Sequence, residues 1–284
     1  MKDYSDALQI ENGCYKTTPR PTNVWARLFP GLVFYSKIIK VVFGASKDAR
    51  SGRLTDNAYR WYSVRVLRAV EAVGGTVEMM NLNAAPSDGW PYVFVGNHMG
   101  TLETMLLASV LIPKGPISFV IKESLTKYPV FKHVMLNQDP IVVGRENPRE
   151  DLTTVLKEGQ QQLKEGKSVI IFPQRTRSLT FDPSTFNSIG IKLARRAGVP
   201  IIPIAIRTDF WGKGKWVKEL GPISPERPVQ IKFHPPLSIS GRGEAEHQKS
   251  IDFIQSTVDA WLAETDNRRH RTNQILVRCC GNDV

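Results

Sequence analysis

The sequence predicts an α/β domain built on a mainly parallel sheet of about seven strands, flanked by helices. Three observations indicate this fold: seven short β-rich runs, helix-like stretches between most of them, and an apolar character along the full length of several runs. Strands without polar alternation are typical of a sheet that is covered on both faces. Strands that alternate with helices are typical of parallel α/β architecture, and 284 residues suffice for one such domain.

The predicted elements follow one another in a regular order. The seven predicted strands are the runs 76–82, 92–96, 117–121, 140–144, 168–172, 201–206 and 229–233. Four predicted helices lie between them, over residues 101–111, 129–135, 148–164 and 188–197. A last helix is expected over about 244–264, because its apolar residues form one stripe: Ile251, Ile254, Val258 and Trp261.

Two further helices are predicted in front of the sheet. Residues 23–46 are aromatic, apolar and basic, and residues 57–73 carry apolar residues at three- and four-residue spacing until two glycines follow. We therefore expect a flexible N-terminus at 1–22, a membrane-associating helical hairpin at 23–75, the α/β domain at 76–265 and a basic tail at 266–284.

The net charge of +11 favours an anionic partner, since 38 Lys and Arg stand against 27 Asp and Glu. Charge alone leaves three classes of partner open: nucleic acid, an anionic membrane and a phosphorylated substrate. The sequence contains no RNA- or DNA-binding motif, so we expect no nucleic-acid partner.

Segment 25–44 is apolar enough to meet a membrane but too interrupted to cross one. Pro30 breaks it, and Arg27 adds a charge near its start. Such a segment is typical of a helix that lies in the membrane interface. The residues expected to associate with the membrane are Trp25, Phe29, Phe34, Tyr35, Lys37, Lys40 and Phe43. The alternative is that this helix packs onto the domain as ordinary core.

Cysteine and histidine form no recognisable disulfide or metal pattern. The three cysteines lack zinc-ligand spacing, and the five histidines are scattered along the chain. We therefore expect no metal site and a reducing compartment. Neither a G-x-x-x-x-G-K-[ST] phosphate loop nor a dinucleotide-binding glycine fingerprint occurs in the sequence.

The first candidate for chemistry is a His–carboxylate pair after strand 92–96. His98 lies in the strand-to-helix turn and Glu103 in the helix that follows. On one continuous helix they would stand about 140° apart, but a loop that folds back at Gly100 would let the carboxylate accept a hydrogen bond from the imidazole. A base of this kind, without its own nucleophile, suits a reaction in which a substrate hydroxyl attacks. The alternative is a structural histidine.

Basic residues follow three other predicted strands. Ligands bind at the carboxyl ends of strands in open α/β sheets, and arginine forks with nearby hydroxyls suit a phosphate. Each such residue on its own is more often a solvated surface group. The candidates are Lys122, Arg145, Arg175, Thr176, Arg177 and Ser178.

Four blocks resemble, in order, the motifs of the 1-acylglycerol-3-phosphate acyltransferase family, a group of glycerolipid and lysophospholipid acyltransferases. They are NHMGTLE (97–103), IVVGRE (141–146), FPQRTRS (172–178) and VPIIPIAI (199–206). The stretch VIKESLTKYPVF (120–131) also resembles the family, and the resemblance covers about residues 75–240. Four blocks in order are far more specific than one.

The resemblance implies a reaction and its participants. His98 would deprotonate the acceptor hydroxyl, which attacks an acyl-CoA or acyl carrier protein thioester, and Glu103 would orient His98. The acceptor would be a lysophospholipid, foremost 1-acylglycerol-3-phosphate, and the product phosphatidic acid. The resemblance implies no cofactor and a peripheral, monotopic position on the cytoplasmic side of the membrane. Phosphate-binding residues would be Arg145, Arg177, Arg175 and Lys122, and site-shaping residues Asn97, Gly100, Gln174, Thr176, Ser178 and Pro203.

Two departures from the family pattern concern the acceptor. The family usually has Asp at the position of Glu103, and Glu-Gly at the positions of Gln174 and Arg175. Glutamine keeps an acceptor oxygen but loses the charge, and arginine replaces a flexible glycine with a bulky cation. Two alternatives therefore stay open: acylation of a different lysolipid, or a lipid-binding homologue with impaired catalysis.

Overall fold

The computed structural model describes residues 4, 8–18, 21–174, 176–215 and 220–280, with the side chains of 266–280 left out. The strands are β1 (Tyr15–Lys16), β2 (Val77–Met80), β3 (Val93–Gly96), β4 (Ile117–Lys122), β5 (Ile141–Val143), β6 (Ser168–Ile171), β7 (Ile201–Arg207) and β8 (Val229–Phe233). The helices are α1 (Val24–Leu28), α2 (Pro30–Arg50), α3 (Asp56–Glu71), α4 (Leu102–Leu106), α5 (Ala108–Leu111), α6 (Phe131–Leu136), α7 (Pro148–Lys164), α8 (Ile189–Ala197) and α9 (Glu244–Cys280).

The strands form one eight-stranded sheet in the order β1-β2-β8-β7-β3-β6-β4-β5. The five strands from β7 to β5 are parallel to one another. Strand β8 is antiparallel to β7 and parallel to β2, while β1 is antiparallel to β2. The prediction of a mainly parallel sheet is confirmed, with one short strand more than the seven expected.

That extra strand lies in the segment expected to be a flexible N-terminus. Tyr15 and Lys16 pair with Met79 and Glu78 on β2, and the Tyr15 side chain is buried. The Glu71 carboxylate accepts hydrogen bonds from the hydroxyls of Tyr15 and Thr17. Residues 15–17 therefore cover the outer side of β2, whose backbone donors and acceptors would otherwise lack partners.

Helices cover both faces of the sheet, as the apolar strands predicted. Alternate residues of β3 point to opposite faces, as in any strand: Phe94 packs with α2 to α5, while Val93 and Val95 pack with α7, α8 and α9. The domain is therefore a three-layer structure in which the sheet is the buried middle layer.

Helix α2 is amphipathic, and two residues that were predicted to meet the membrane lie on its inner face. Phe34 has no exposed surface and packs edge-to-face on the rings of Phe210 and Trp211. The Tyr35 hydroxyl donates to the Gly221 carbonyl and accepts from Trp211 Nε1. The prediction that Phe34 and Tyr35 associate with the membrane was therefore wrong, because both side chains hold α2 to the domain.

The outer surface of α1 and α2 carries exposed apolar side chains. Trp25 is 67% and Phe43 59% exposed, while Lys37 and Lys40 are also exposed. The exposed apolar set on these two helices is Val24, Trp25, Leu28, Phe29, Leu32, Ile39 and Phe43. In the part of the chain that the structure describes, no helix combines the length and apolarity needed to cross a bilayer.

Helix α9 is longer than expected. It continues to Cys280 instead of ending near residue 264, so most of the predicted tail is helical in its backbone. Residues 244–280 contain neither glycine nor proline, the two residues that interrupt helices most strongly. Residues 281–284 of the predicted tail lie outside the described residues.

Candidate active site

The predicted site residues meet at the carboxyl edge of the parallel strands. Parallel pairing of β3 with β6 and β7 brings the ends of these strands side by side. The loops that follow them carry His98 after β3, Gln174 after β6 and Thr208 after β7. This edge is where open α/β sheets bind their ligands.

His98 and Glu103 are in direct contact. His98 Nδ1 lies 2.8 Å from Glu103 Oε1, and the backbone N–H groups of Met99 and Gly100 donate to the same oxygen at 2.8 Å. His98 precedes α4, which starts at Leu102, so the loop folds back over the first turn of the helix. An ionised carboxylate only accepts hydrogen bonds. Nδ1 therefore carries the hydrogen, and Nε2 is left to take a proton.

The Glu103 carboxylate is ionised although its side chain is fully buried. Its second oxygen, Oε2, accepts a hydrogen bond from Thr208 Oγ1 at 2.6 Å. Burial on its own raises the pKa of this carboxyl, but the hydrogen bonds from His98, Thr208 and Gly100 outweigh burial, and the pKa is lowered. The site thus holds a buried negative charge that supports a positive charge on His98.

The β6 loop holds His98 from the other side. The His98 N–H donates to Gln174 Oε1 at 2.7 Å, and the His98 carbonyl accepts from the Ser178 N–H at 3.0 Å. The imidazole stacks on the Phe172 ring, with centroids 4.6 Å apart and planes 14° from parallel. These contacts fix the orientation of the imidazole before any substrate binds.

Asn97 braces the loop from beneath. Its side-chain amide donates to the Ile206 carbonyl and its side-chain oxygen accepts from the Ile206 N–H, both at 2.8 Å. Asn97 thus continues the β3–β7 pairing one residue beyond the end of β3, and at 2% exposure it does not face the solvent. Its role is to set where His98 leaves the sheet.

Arg177 lies close enough to Arg145 for its positive charge to act on the Arg145 guanidinium. Arg145 adopts a left-handed conformation with φ of 67°, and its N–H donates to Asp151 Oδ1. Burial lowers the pKa of the Arg145 guanidinium, Asp151 raises it, and the positive charge of Arg177 lowers it again. The loops after β5 and β6 therefore bring two cations together, as a phosphate site requires.

The remaining predicted residues are less closely grouped. Lys122 ends β4 with an exposed side chain, and Thr176 is also exposed. Pro203, predicted to shape the site, lies inside β7 opposite Val95. Its carbonyl accepts a hydrogen bond from the His234 N–H. A mid-strand position places Pro203 in the sheet and not at the edge. Arg175 lies outside the described residues.

Sequence reasoning missed two residues whose side chains contact the His–Glu pair. Thr208 directly follows β7, just beyond the last family-like block, and the rule that polar residues after buried strands form the site would have found it. Phe172 opens the third block, but an apolar residue gave no signal that it would stack on His98. Among the described residues, no group of three or more His, Cys, Asp or Glu could hold a metal ion.

Comparison with known proteins places the chain in a family. The family model described as Acyltransferase matches residues 76–207, which carry the His–Glu pair and both arginine loops. The probable 1-acyl-sn-glycerol-3-phosphate acyltransferase of Mycoplasma genitalium is 31% identical over 182 residues, covering 61% of this chain and 67% of that protein. This chain belongs to the acyltransferase family.

Other members of the acyltransferase family show similar agreement. The 1-acyl-sn-glycerol-3-phosphate acyltransferase of Pseudomonas aeruginosa is 31% identical over 176 residues, 62% of this chain and 63% of that protein. The protein of the same name from Cocos nucifera is 24% identical over 173 residues, 61% of this chain and 54% of that protein. The chain thus spans about a third to two thirds of the length of the curated relatives it matches.

A solved structure shares the fold of this acyltransferase-family chain. The crystal structure of the 1-acyl-sn-glycerophosphate acyltransferase PlsC from Thermotoga maritima matches with a TM-score of 0.64. The match covers 84% of this chain and 96% of that chain at 20% sequence identity. It includes a mostly parallel sheet flanked by helices, so the architecture predicted from the strand pattern is that of a known family member.

Proposed function

We propose that the protein is an O-acyltransferase that moves a fatty acyl group from a thioester donor, acyl-CoA or acyl carrier protein, to the free hydroxyl of 1-acylglycerol-3-phosphate. The product would be phosphatidic acid, an intermediate of phospholipid biosynthesis. The observation that carries the proposal is the buried His98–Glu103 pair at the carboxyl edge of the sheet, with Nε2 of His98 left to accept a proton. The names of the relatives support the choice of acceptor.

The geometry supports a direct transfer. His98 Nε2 takes the proton of the acceptor hydroxyl while its oxygen attacks the thioester carbonyl carbon. The C–S bond of the tetrahedral intermediate then breaks, the new ester forms, and the thiolate takes the proton back from the imidazolium. Glu103 stabilises the transient imidazolium, as a buried carboxylate does for a catalytic histidine.

The cations after β5 and β6 support binding of the acceptor's phosphate. Arg145 and Arg177 come from different loops, yet the charge of Arg177 acts on Arg145, so a phosphate between them would relieve this repulsion. Holding the phosphate would anchor the acceptor at the sheet edge, where its free hydroxyl can meet His98. Lys122 and Arg175 are the further candidates for this role.

The outer surface of α1 and α2 supports a peripheral position on the membrane. Trp25, Leu28, Phe29 and Leu32 are each at least half exposed, which is unusual for large apolar side chains gathered on one surface. Helix α2 packs on Trp211, whose carbonyl lies near Gly100 of the His98 loop. We propose that this surface enters the cytoplasmic leaflet and keeps the site at the lipid.

The reaction is tested by measuring thiol release from acyl-CoA with and without lysophosphatidate. The wild type should release thiol only with the lysolipid, and His98→Ala should lower the rate by about 10²- to 10⁴-fold, the contribution typical of a general base. His234→Ala is the matched control, because His234 follows β8 at the opposite edge of the sheet. Release that does not need the lysolipid would indicate a hydrolase instead.

The acceptor is tested with a panel of lysolipids that differ in head group. Lysophosphatidate as the best acceptor would support the proposal, and another preferred lysolipid would assign the change to Gln174 and Arg175. Arg177→Gln should raise KM for lysophosphatidate and leave KM for the acyl donor unchanged, since only the acceptor's phosphate meets this side chain. A wild type without transfer to any acceptor would favour the lipid-binding alternative.

A further inference from the structure

A basic groove lies between α2 and α3, and its lining includes none of the residues of the His98 site. Its volume is about 450 Å³. Lys37 and Lys40 stand on one wall and Arg65 and Arg68 on the other, and its lining contains no carboxylate in the part of the chain described. Four cations along one groove are a strong attraction for an anion.

The groove is shaped by close packing and by an aromatic ring. Its floor includes Gly44, where an added Cβ would meet the Tyr62 ring at 3.1 Å, so the two helices approach closely there. The Arg65 guanidinium lies over the Trp61 ring, 4.5 Å from its centroid. This stacking orients the guanidinium without using its N–H donors.

The cations differ in how they are already engaged. Arg68 donates to Glu71 Oε2 at 2.8 Å and to the Tyr15 hydroxyl at 3.0 Å, so its charge is largely balanced. Lys37 and Lys40 are exposed, one helical turn apart, and are without a carboxylate within ion-pair distance among the described residues. The two lysines are therefore the cations most ready to meet an incoming anion.

The position of the groove indicates where that anion comes from. Leu32, Ile39 and Phe43 form an exposed apolar stripe along α2, next to the face that carries Lys37 and Lys40. A helix that lowers such a stripe into the acyl region of a bilayer holds its flanking lysines at the level of the phosphates. A soluble anion would be bound by the cations alone, and the adjoining apolar stripe would contribute nothing to its binding.

We infer that the α2–α3 groove binds the phosphate of an anionic membrane phospholipid, as a non-catalytic site separate from the arginines at the sheet edge. This inference rests on the membrane association proposed above and does not depend on acyl transfer. A lipid held here would fix the rotation of the hairpin on the membrane, and with it the height of the His98 loop above the bilayer.

Vesicle flotation tests the site in the full-length protein. The double variant Lys37→Gln/Lys40→Gln should bind vesicles of phosphatidylcholine and phosphatidylglycerol roughly 30-fold more weakly than the wild type, since each cation near an anionic bilayer contributes about a factor of five. On vesicles of phosphatidylcholine alone the two proteins should differ by less than about two-fold, because no anionic lipid is present.

A matched control removes the same charge elsewhere. Lys192 and Arg195 are exposed on α8, which packs on the opposite face of the sheet, and Lys192→Gln/Arg195→Gln should keep nearly wild-type binding. Equal losses in the two double variants would overturn the inference, because net charge would then explain the binding. Lys37→Arg/Lys40→Arg should restore binding, which separates lost charge from misfolding.

Two further results separate the sources of phosphate and the two proposals. Saturable binding of soluble glycerol phosphate that depends on Lys37 and Lys40, with no vesicle effect, would overturn the lipid assignment. Wild type that fails to bind any vesicle would remove the membrane proposal together with this one. Absence of acyl transfer in a wild type that still shows the lysine-dependent vesicle binding would remove only the enzymatic proposal.

Discussion

At Glu103, four hydrogen-bond donors converge on one buried carboxylate: His98 Nδ1, two backbone N–H groups and the Thr208 hydroxyl. A neutral side chain of the same shape would satisfy these donors less well, and a buried charge without them would be costly. The carboxylate and its donors therefore depend on one another, and changes at single residues should show this.

The stability contributed by Glu103 should depend on pH. Its pKa in the folded protein is lowered from the ordinary 4.5, so the folded state binds fewer protons than the unfolded chain. This contribution is fully present above about pH 4.5 and is lost as the pH falls through the lowered pKa. In urea unfolding, the difference between wild type and Glu103→Gln should shrink as the pH is lowered below that range. A difference that stays constant would contradict the assignment.

Thr208 should act as a positioning residue. Thr208→Val keeps the shape but leaves Glu103 Oε2 without its donor, which we expect to lower the free energy of unfolding by about 1–3 kcal/mol. The kcat for acyl transfer should fall roughly 10-fold, the factor equivalent to about 1.4 kcal/mol.

The control for Thr208 uses the same substitution on the surface. Thr153 is exposed on α7, and Thr153→Val should change neither stability nor kcat. Thr208→Ser keeps the hydroxyl and should recover most of the kcat. Equal kcat values for the valine and serine variants at position 208 would show that the hydrogen bond to Glu103 is not used.

At the scale of the element, α2 serves two environments at once. Phe34 and Phe43 stand on the same helix, but Phe34 is fully buried and Phe43 is 59% exposed. Helices with one buried stripe and an apolar outer surface are typical of proteins that add a second apolar partner, here proposed to be the bilayer.

The two phenylalanines should respond differently to the same substitution. Phe34→Ala should lower the free energy of unfolding by about 3–5 kcal/mol, because it leaves a cavity among Tyr35, Phe210 and Trp211. Phe43→Ala should change it by less than about 0.5 kcal/mol. The measurement is the free energy of unfolding in urea without membrane. Similar decreases for both variants would mean that α2 is not docked as described.

Across the whole molecule, a buried arginine connects the site to the last helix. Arg207 ends β7 next to Thr208 and is 2% exposed. Its Nε donates to Asp209 Oδ1 at 3.0 Å, and its Nη1 donates to the Trp261 carbonyl of α9 at 2.8 Å. Through Arg207, the end of β7 that positions Thr208 is therefore hydrogen-bonded to α9, which belongs to the layer that covers one face of the sheet.

Removing this arginine should destabilise the whole domain. Among the described residues, Arg207→Met leaves Asp209 with only the more distant Arg227, at 3.5 Å, as an ion-pair partner, and breaking a buried ion pair costs about 3–5 kcal/mol. Arg242 is the control, because its pair with Glu244 is highly exposed and Arg242→Met should leave the unfolding midpoint unchanged. Unchanged stability in Arg207→Met would show that α9 is held by its apolar stripe alone.

The strand pattern predicted most of the architecture, but it missed the short strand β1 and the full length of α9. Seven strands and the helices between them agree with the structure because buried parallel strands need long apolar runs, which are visible in a sequence. Strand β1 was missed because two residues carry no period, and only their pairing with β2 makes them a strand. The continuation of α9 was missed because the apolar stripe that predicted this helix ends near Trp261.

The amino-acid sequence was enough to predict the fold class, the order of the elements, the loops that hold His98, Arg145 and Arg177, and the helix that holds Glu103. These follow from local patterns: apolar runs, turn residues and polar groups placed after strands. The folded structure was needed to show that the Thr208 hydroxyl donates to Glu103, that Phe172 stacks on His98, and that Phe34 faces inward. Contacts between residues far apart in the chain depend on how strands order themselves and helices rotate, and neither leaves a local mark in the sequence.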